Sequence, residues 1–284
     1  MKADLLALAA IALWSTLAPL GVQLAHVPPF LLTGLGLLIG SLIALPLARW
    51  RLSRWLVPWP TLLVGVYGLF GFHFLLFWAL RKAPAVEANL INYLWPLGMV
   101  LMAPLFLSGM TLQSRHVFAA LIGFAGAAIA ILGRGGAAAG SAGDAGAGGF
   151  YIGYLLALAS AFVWASYSLL TRRLPAFPTA AVGGFAALSG ALSLLCHALL
   201  EPSLALSRQD LLFIVLLGLG PLGAAFFLWD AAIKQGDTRR IGLLAFATPI
   251  LSTVLLLHST GQALHWNVGL AALLVTGAAL WGSR

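Results

Sequence analysis

One stretch of the sequence places Asn89, Asn92, Tyr93 and Pro96 at spacings i, i+3, i+4 and i+7. In a helix those positions share one face. A second stretch repeats the arrangement with Trp164, Tyr167, Ser168 and Thr171, and a third sets Trp14 beside Ser15 and Thr16. Amides, hydroxyls and indoles of this kind bind by hydrogen bonding and ring contact. They suit recognition of a small molecule that presents an amino group, a carboxylate or a flat apolar ring. The same groups also fasten helix to helix inside a membrane, and the residues alone leave both roles open.

His73 lies between Phe70 and Phe77 on one face of another apolar run, which also carries Trp78. An ionisable residue there is a functional candidate, with a neutral, hydrogen-bonded ring as the alternative. Trp14 and Trp164 fall in mid-run, too deep for the headgroup belt that accounts for Trp50, Trp55, Trp59, Trp266 and Trp281. Trp78 and Trp229 fall near run ends, where belt and gate are both open. The candidate binding set is therefore Trp14, Ser15, His73, Trp78, Asn89, Asn92, Tyr93, Trp164, Tyr167 and Ser168. Pro96 and Pro249 hold matched places in two runs. Proline removes a backbone donor and kinks a helix, and interrupted helices in matched positions mark transporter binding sites. Both are expected hinges.

Catalysis finds no foothold. The sequence has no HExxH, GxSxG or Walker loop, and its one cysteine, Cys196, lies alone in an apolar run. No metal, cofactor or enzymatic activity is expected. Acids number 7, and none falls securely at mid-run; Glu87 and Asp230 are expected near helix ends. A carboxylate relay is thus not evident, which leaves facilitated diffusion or coupling through His73.

The elements that position these residues follow from composition. Of 284 residues, 62% are hydrophobic and 8% charged, whereas a soluble domain carries roughly a quarter charged. Such a chain requires a bilayer. A spanning helix takes about 20 apolar residues, and ten runs qualify: 4–25, 30–48, 59–80, 86–107, 116–133, 150–170, 177–199, 211–233, 241–258 and 267–282. Their continuity excludes a membrane barrel, whose strands alternate. The net charge of +8 lies scattered in short loops, so nucleic acid is not an expected partner. Lipid and a small-molecule substrate are, and a monomer suffices, although small residues at Ala119, Gly123 and Ala127 form a seam compatible with packing within or between chains.

The chain is written twice. Leu5–Ala9 with Trp14 reappears as Leu155–Ala159 with Trp164, and Phe74…Lys82 runs parallel to Phe226…Lys234. A Gly/Ala-rich linker, 134–149, separates a five-helix repeat at 1–133 from another at 150–284. Five is odd, so the second repeat enters the membrane from the opposite side. With the N-terminus cytoplasmic, 11 Lys/Arg fall inside against 4 outside, which puts both termini in the cytoplasm.

On these features the chain resembles the drug/metabolite transporter superfamily, in its ten-helix, EamA-type branch. The duplicated Leu-Ala…Trp helix, Phe77-Trp78-Ala79-Leu80, and Ala88-Asn89…Tyr93-Leu94-Trp95-Pro96 carry the resemblance. Where relatives place Gly-Glu after the fourth and ninth helices, this chain reads Gly109-Met110 and Gly261-Gln262. The resemblance implies alternating access around a cavity lined by the first, third, fourth, sixth, eighth and ninth helices. It is narrowest to the aromatic amino-acid exporters, implying inner-membrane export of neutral, preferably aromatic, amino acids. General drug or metabolite efflux is the alternative.

Overall fold

The computed structural model describes residues 2–132, 147–259, 261 and 266–282. Among them the fold is all-α. Eight helices are long and apolar enough to cross a membrane and two are shorter. In chain order they are α1 (Lys2–Gln23), α2 (Pro29–Leu47), α3 (Trp59–Lys82), α4 (Glu87–Phe106), α5 (Ser114–Leu132), α6 (Ala147–Leu170), α7 (Thr179–Leu200), α8 (Arg208–Gln235), α9 (Thr238–Ser259) and α10 (Trp266–Gly282). The bounds agree with the sequence expectation to within a few residues. Most of the expected linker, 134–146, lies outside the described residues, and α6 begins three residues before the expected start.

Helices form here because hydrocarbon offers backbone groups no partner, so each span must satisfy its own. Burial obeys the same logic. Leu105, Leu199 and Leu273 stand exposed on the outer surface, while Ser15, Thr33, Ser160 and Ser189 are buried between helices. Close approaches rely on glycine. A Cβ on Gly190 of α7 would come within 2.9 Å of the Gly34 carbonyl on α2. The small-residue seam on α5 packs within the chain: Gly123 faces Phe246 of α9, and Gly126 faces Val275 of α10.

Several rods are broken, and two kinds of break recur in both halves. In α4 the helix ends at Asn92 and restarts at Trp95; in α9 it ends at Ala245 and restarts at Ala247. Pro96 and Pro249 lie at the start of the downstream pieces. Neither can donate to the carbonyl four residues earlier, which belongs to Asn92 and Ala245. In α3 a π-helical turn spans Tyr67–Gly71, and in α8 another spans Gly220–Ala224. The extra residue rotates the downstream side chains by about 100° relative to an unbroken helix. Gly109 and Gly261, just past the ends of α4 and α9, have φ of 80° and 68°. Glycine occupies that left-handed region without a Cβ clash, so backbone geometry accounts for both glycines although the acid following each is absent.

Ion pairs gather at the two ends of the bundle. At one end Asp4 meets Arg240 at 3.0 Å, and Arg172 donates to the carbonyls of Ile233 and Gly236. At the other, Glu201 pairs with Arg81 at 2.7 Å, His26 meets Asp210 at 3.1 Å, and Tyr154 donates to Glu87. The start of α1 thus belongs to the first end and the start of α6 to the second.

Candidate functional site

Inside the bundle, four indoles converge. Trp14 of α1 is their hub, with ring centroids 5.7 Å from Trp164 of α6, 6.4 Å from Trp95 of α4 and 5.1 Å from Trp229 of α8. Phe226 of α8 completes the group at 6.1 Å from Trp14 and 5.6 Å from Trp164. Most of these pairs meet edge to face, the arrangement favoured by the aromatic quadrupole. All five side chains are buried; Trp14 is 8% exposed. The four helices that supply them come from both halves of the chain, so relative motion of the halves must reshape the cage.

The wall extends along α6 and α3. Tyr167 lies tilted against Trp164 at 5.4 Å, and Phe72 lies 5.2 Å from the same indole. Tyr167 fits because it rests against Gly68 in the π-helical turn of α3, where a Cβ would occupy the ring. Ser168 accepts a hydrogen bond from Trp229 Nε1 at 3.1 Å. His73 is buried, donates from Nδ1 to the Leu69 carbonyl at 2.6 Å and contacts Phe226 at 6.2 Å. Its ring therefore borders the cage.

The other expected residues take different places. Ser15 bonds back to the Ile11 carbonyl at 2.7 Å and reaches Thr248 of α9. Asn92 accepts from Ser160 at 2.9 Å, which ties α4 to α6. Asn89 and Tyr93 are half-buried, Tyr93 at the break in α4. Trp78 lies away from the cage, beside Phe74 and under the Arg81 guanidinium. Trp229 of α8, one residue short of the repeat-related place, is the one that enters the cage. Trp95, Phe226 and Trp229 are missing from the expected set, although Trp95 lies in the Tyr-Leu-Trp-Pro motif and Phe226 and Trp229 lie in the segment that repeats Phe74…Lys82.

Next to Leu13, a largely apolar groove of about 580 Å³ runs between α1, α8 and α9. Thr16, Gln23 and Ser259 supply its polar groups, and Pro221 of the π-helical turn forms part of its wall. Clusters of three or more His, Cys, Asp or Glu that could hold a metal ion do not occur among the described residues. What the arrangement offers is aromatic surface and buried hydrogen-bond groups.

A sequence profile of the EamA-like transporter family matches this chain twice, over residues 1–132 and 151–283. The chain belongs to the EamA-like transporter family. It is a multi-pass membrane transporter, and the cage lies where this EamA protein's two matched regions meet. The chain is 43% identical to the aromatic amino acid exporter YddG of Ancylobacter novellus, with 98% of this chain and 96% of that protein covered. It is 28% identical to the YddG exporter of Escherichia coli over 98% of this chain and 96% of that one. A solved crystal structure 41% identical in sequence superposes with a TM-score of 0.91, covering 100% of this chain and 96% of the other.

Proposed function

We propose that this EamA transporter exports neutral amino acids, with preference for aromatic side chains, across the inner membrane. Residues 1–133 and 150–284 act as inverted repeats joined by the 134–149 linker, with both termini cytoplasmic. Alternating access then arises from rocking one half against the other. The observation that carries the proposal is the indole cage centred on Trp14, since rings from both halves can stack on a flat cargo. The curated relatives named as aromatic amino acid exporters support the same cargo class. In this reading Trp14, Trp164, Tyr167 and Ser168 hold the cargo ring, with His73 at the border. Asn89, Asn92 and Tyr93 position α4.

Purified protein in liposomes tests it. Labelled phenylalanine, tryptophan and threonine are followed against empty vesicles, with gradients set in each direction and with or without a pH difference. The expected result is saturable movement, fastest for the aromatic pair, and the pH comparison separates facilitation from proton coupling. Trp14→Ala should lower tryptophan transport about tenfold or more relative to threonine. Undiminished transport of every aromatic cargo by that variant would remove the cage from the site.

A further inference from the structure

The residue after Trp229 is Asp230, and it is 3% exposed. Its Oδ2 accepts from Lys234 Nζ at 2.7 Å and from the Thr179 hydroxyl at 2.7 Å. Its Oδ1 is equally buried and has no partner. Lys234 also donates to the Phe177 carbonyl at 3.0 Å and lies 3.5 Å from the Phe177 ring centroid. Trp229, the cage indole one residue before Asp230, donates to Ser168 of the cage wall. An ion pair with one idle carboxylate oxygen thus lies next to a cage residue on α8.

Glu201, another buried carboxylate paired with a cation, behaves differently. Its Oε1 accepts from Arg81 and the Phe30 N–H, and its Oε2 from the Phe30 and Leu31 N–H groups and His197. That carboxylate closes the start of α2 and has both oxygens engaged. At the repeat-related place of Asp230, an offset of 152, the first half carries Trp78. The second half alone therefore sets an acid and a base one turn apart on the helix that supplies Trp229.

Burying an ion pair costs desolvation that its own attraction repays poorly, and charged groups inside a span mark transport pathways. A free amino acid brings an ammonium and a carboxylate on one carbon; an aromatic cage draws the ammonium only through its ring faces and offers the carboxylate nothing. Charge-assisted hydrogen bonds to an acid and a base hold both. We infer that Asp230 and Lys234 are the binding site for the charged head of the cargo. The idle Oδ1 receives the ammonium, Lys234 turns from Oδ2 to the cargo carboxylate, and the side chain lies in the cage beside Trp229. The substrate class is then free α-amino acids with both charges present. This inference rests on the proposed amino-acid export.

The test uses full-length protein in liposomes, with labelled tryptophan as cargo. Tryptophan, tryptamine (no carboxylate) and indole-3-propionate (no ammonium) serve as unlabelled competitors against residual transport. Asp230→Asn should weaken competition by tryptophan and tryptamine about tenfold and leave indole-3-propionate unchanged. Lys234→Met should weaken tryptophan and indole-3-propionate and leave tryptamine unchanged. Asp230→Glu, which keeps the charge, should restore most of the loss and guards against a misfolded asparagine variant. Equal weakening of all three competitors, or none, overturns the inference while leaving amino-acid export standing. Absence of tryptophan transport in the unmodified protein overturns both.

Discussion

Trp229 of α8 donates its indole N–H to Ser168 Oγ of α6, with both side chains buried. The bond fixes the ring that closes on Trp14, and it joins two helices of the second half across the cage wall. Polar side chains between helices in a membrane carry this double duty, as fasteners and as recognition surface.

Ser168→Ala leaves that indole N–H in a dry site with no acceptor. An unmade buried hydrogen bond costs about 1–3 kcal/mol, so the detergent-solubilised variant should unfold at lower temperature than the parent. Trp229→Phe removes the donor, and adding it to Ser168→Ala should cost less than the two single changes summed. A thermal-unfolding cycle reads the difference. Strict additivity would mean the bond contributes nothing.

Pro96 and Pro249 act on turnover rather than on binding. Replacing either with alanine supplies an N–H for the carbonyl of Asn92 or Ala245 and allows the two helical pieces to join. A straighter, stiffer rod opposes the bending that exposes the cage, and such hinge changes alter conformational steps. Each single variant should lower maximal tryptophan transport about fivefold with little change in equilibrium tryptophan binding. Unaltered turnover in both would assign the breaks to static packing.

The helix ends and the two matched prolines are legible in the sequence, because each span needs a long apolar run and proline removes a backbone donor wherever it stands. Depth and facing are not legible in the same way. Trp78 and Trp229 both fall near a run end, yet one lies under Arg81 and the other enters the cage. Trp78 comes 7 residues after the π-helical turn Tyr67–Gly71 and Trp229 comes 5 after Gly220–Ala224. That difference turns the rings to opposite sides of their helices, and no residue pattern announces the turns beyond their glycines. Asp230 lies near the end of α8, as expected, but Thr179 and Phe177 fold over it and bury it. Its spacing of four from Lys234 in an apolar run was the available signal.

Glu201 is a structural clamp, and the exposures of its partners set the order of effects. The Glu201 side chain is 0% exposed and that of Arg81 is 35%. Removing the acid leaves the first N–H groups of α2 and the guanidinium without a charged acceptor. Breaking a buried pair from its buried side costs about 3–5 kcal/mol, so Glu201→Gln should lose a large share of thermal stability. Arg81→Met should lose distinctly less, because two backbone N–H groups and His197 still hold the carboxylate. Equal losses from the two variants would show that the ion pair, and not the helix start, dominates.

Gly68 connects the π-helical turn to the cage. A methyl group there falls on the Tyr167 ring, which is also in contact with Trp164. Overpacking of this kind costs about 1–3 kcal/mol, but the more informative consequence is directional. Tyr167 is in ring contact with Trp164, which contacts Trp14, so displacing it should disturb the cage, and Gly68→Ala should raise the apparent KM for tryptophan more than for threonine. Gly277→Ala in α10 is the matched control, since no atom lies within 4 Å of the added carbon. That variant should leave transport unchanged. If Gly68→Ala slows both cargoes equally, the close fit of Tyr167 serves folding alone and the aromatic preference must arise elsewhere in the cage.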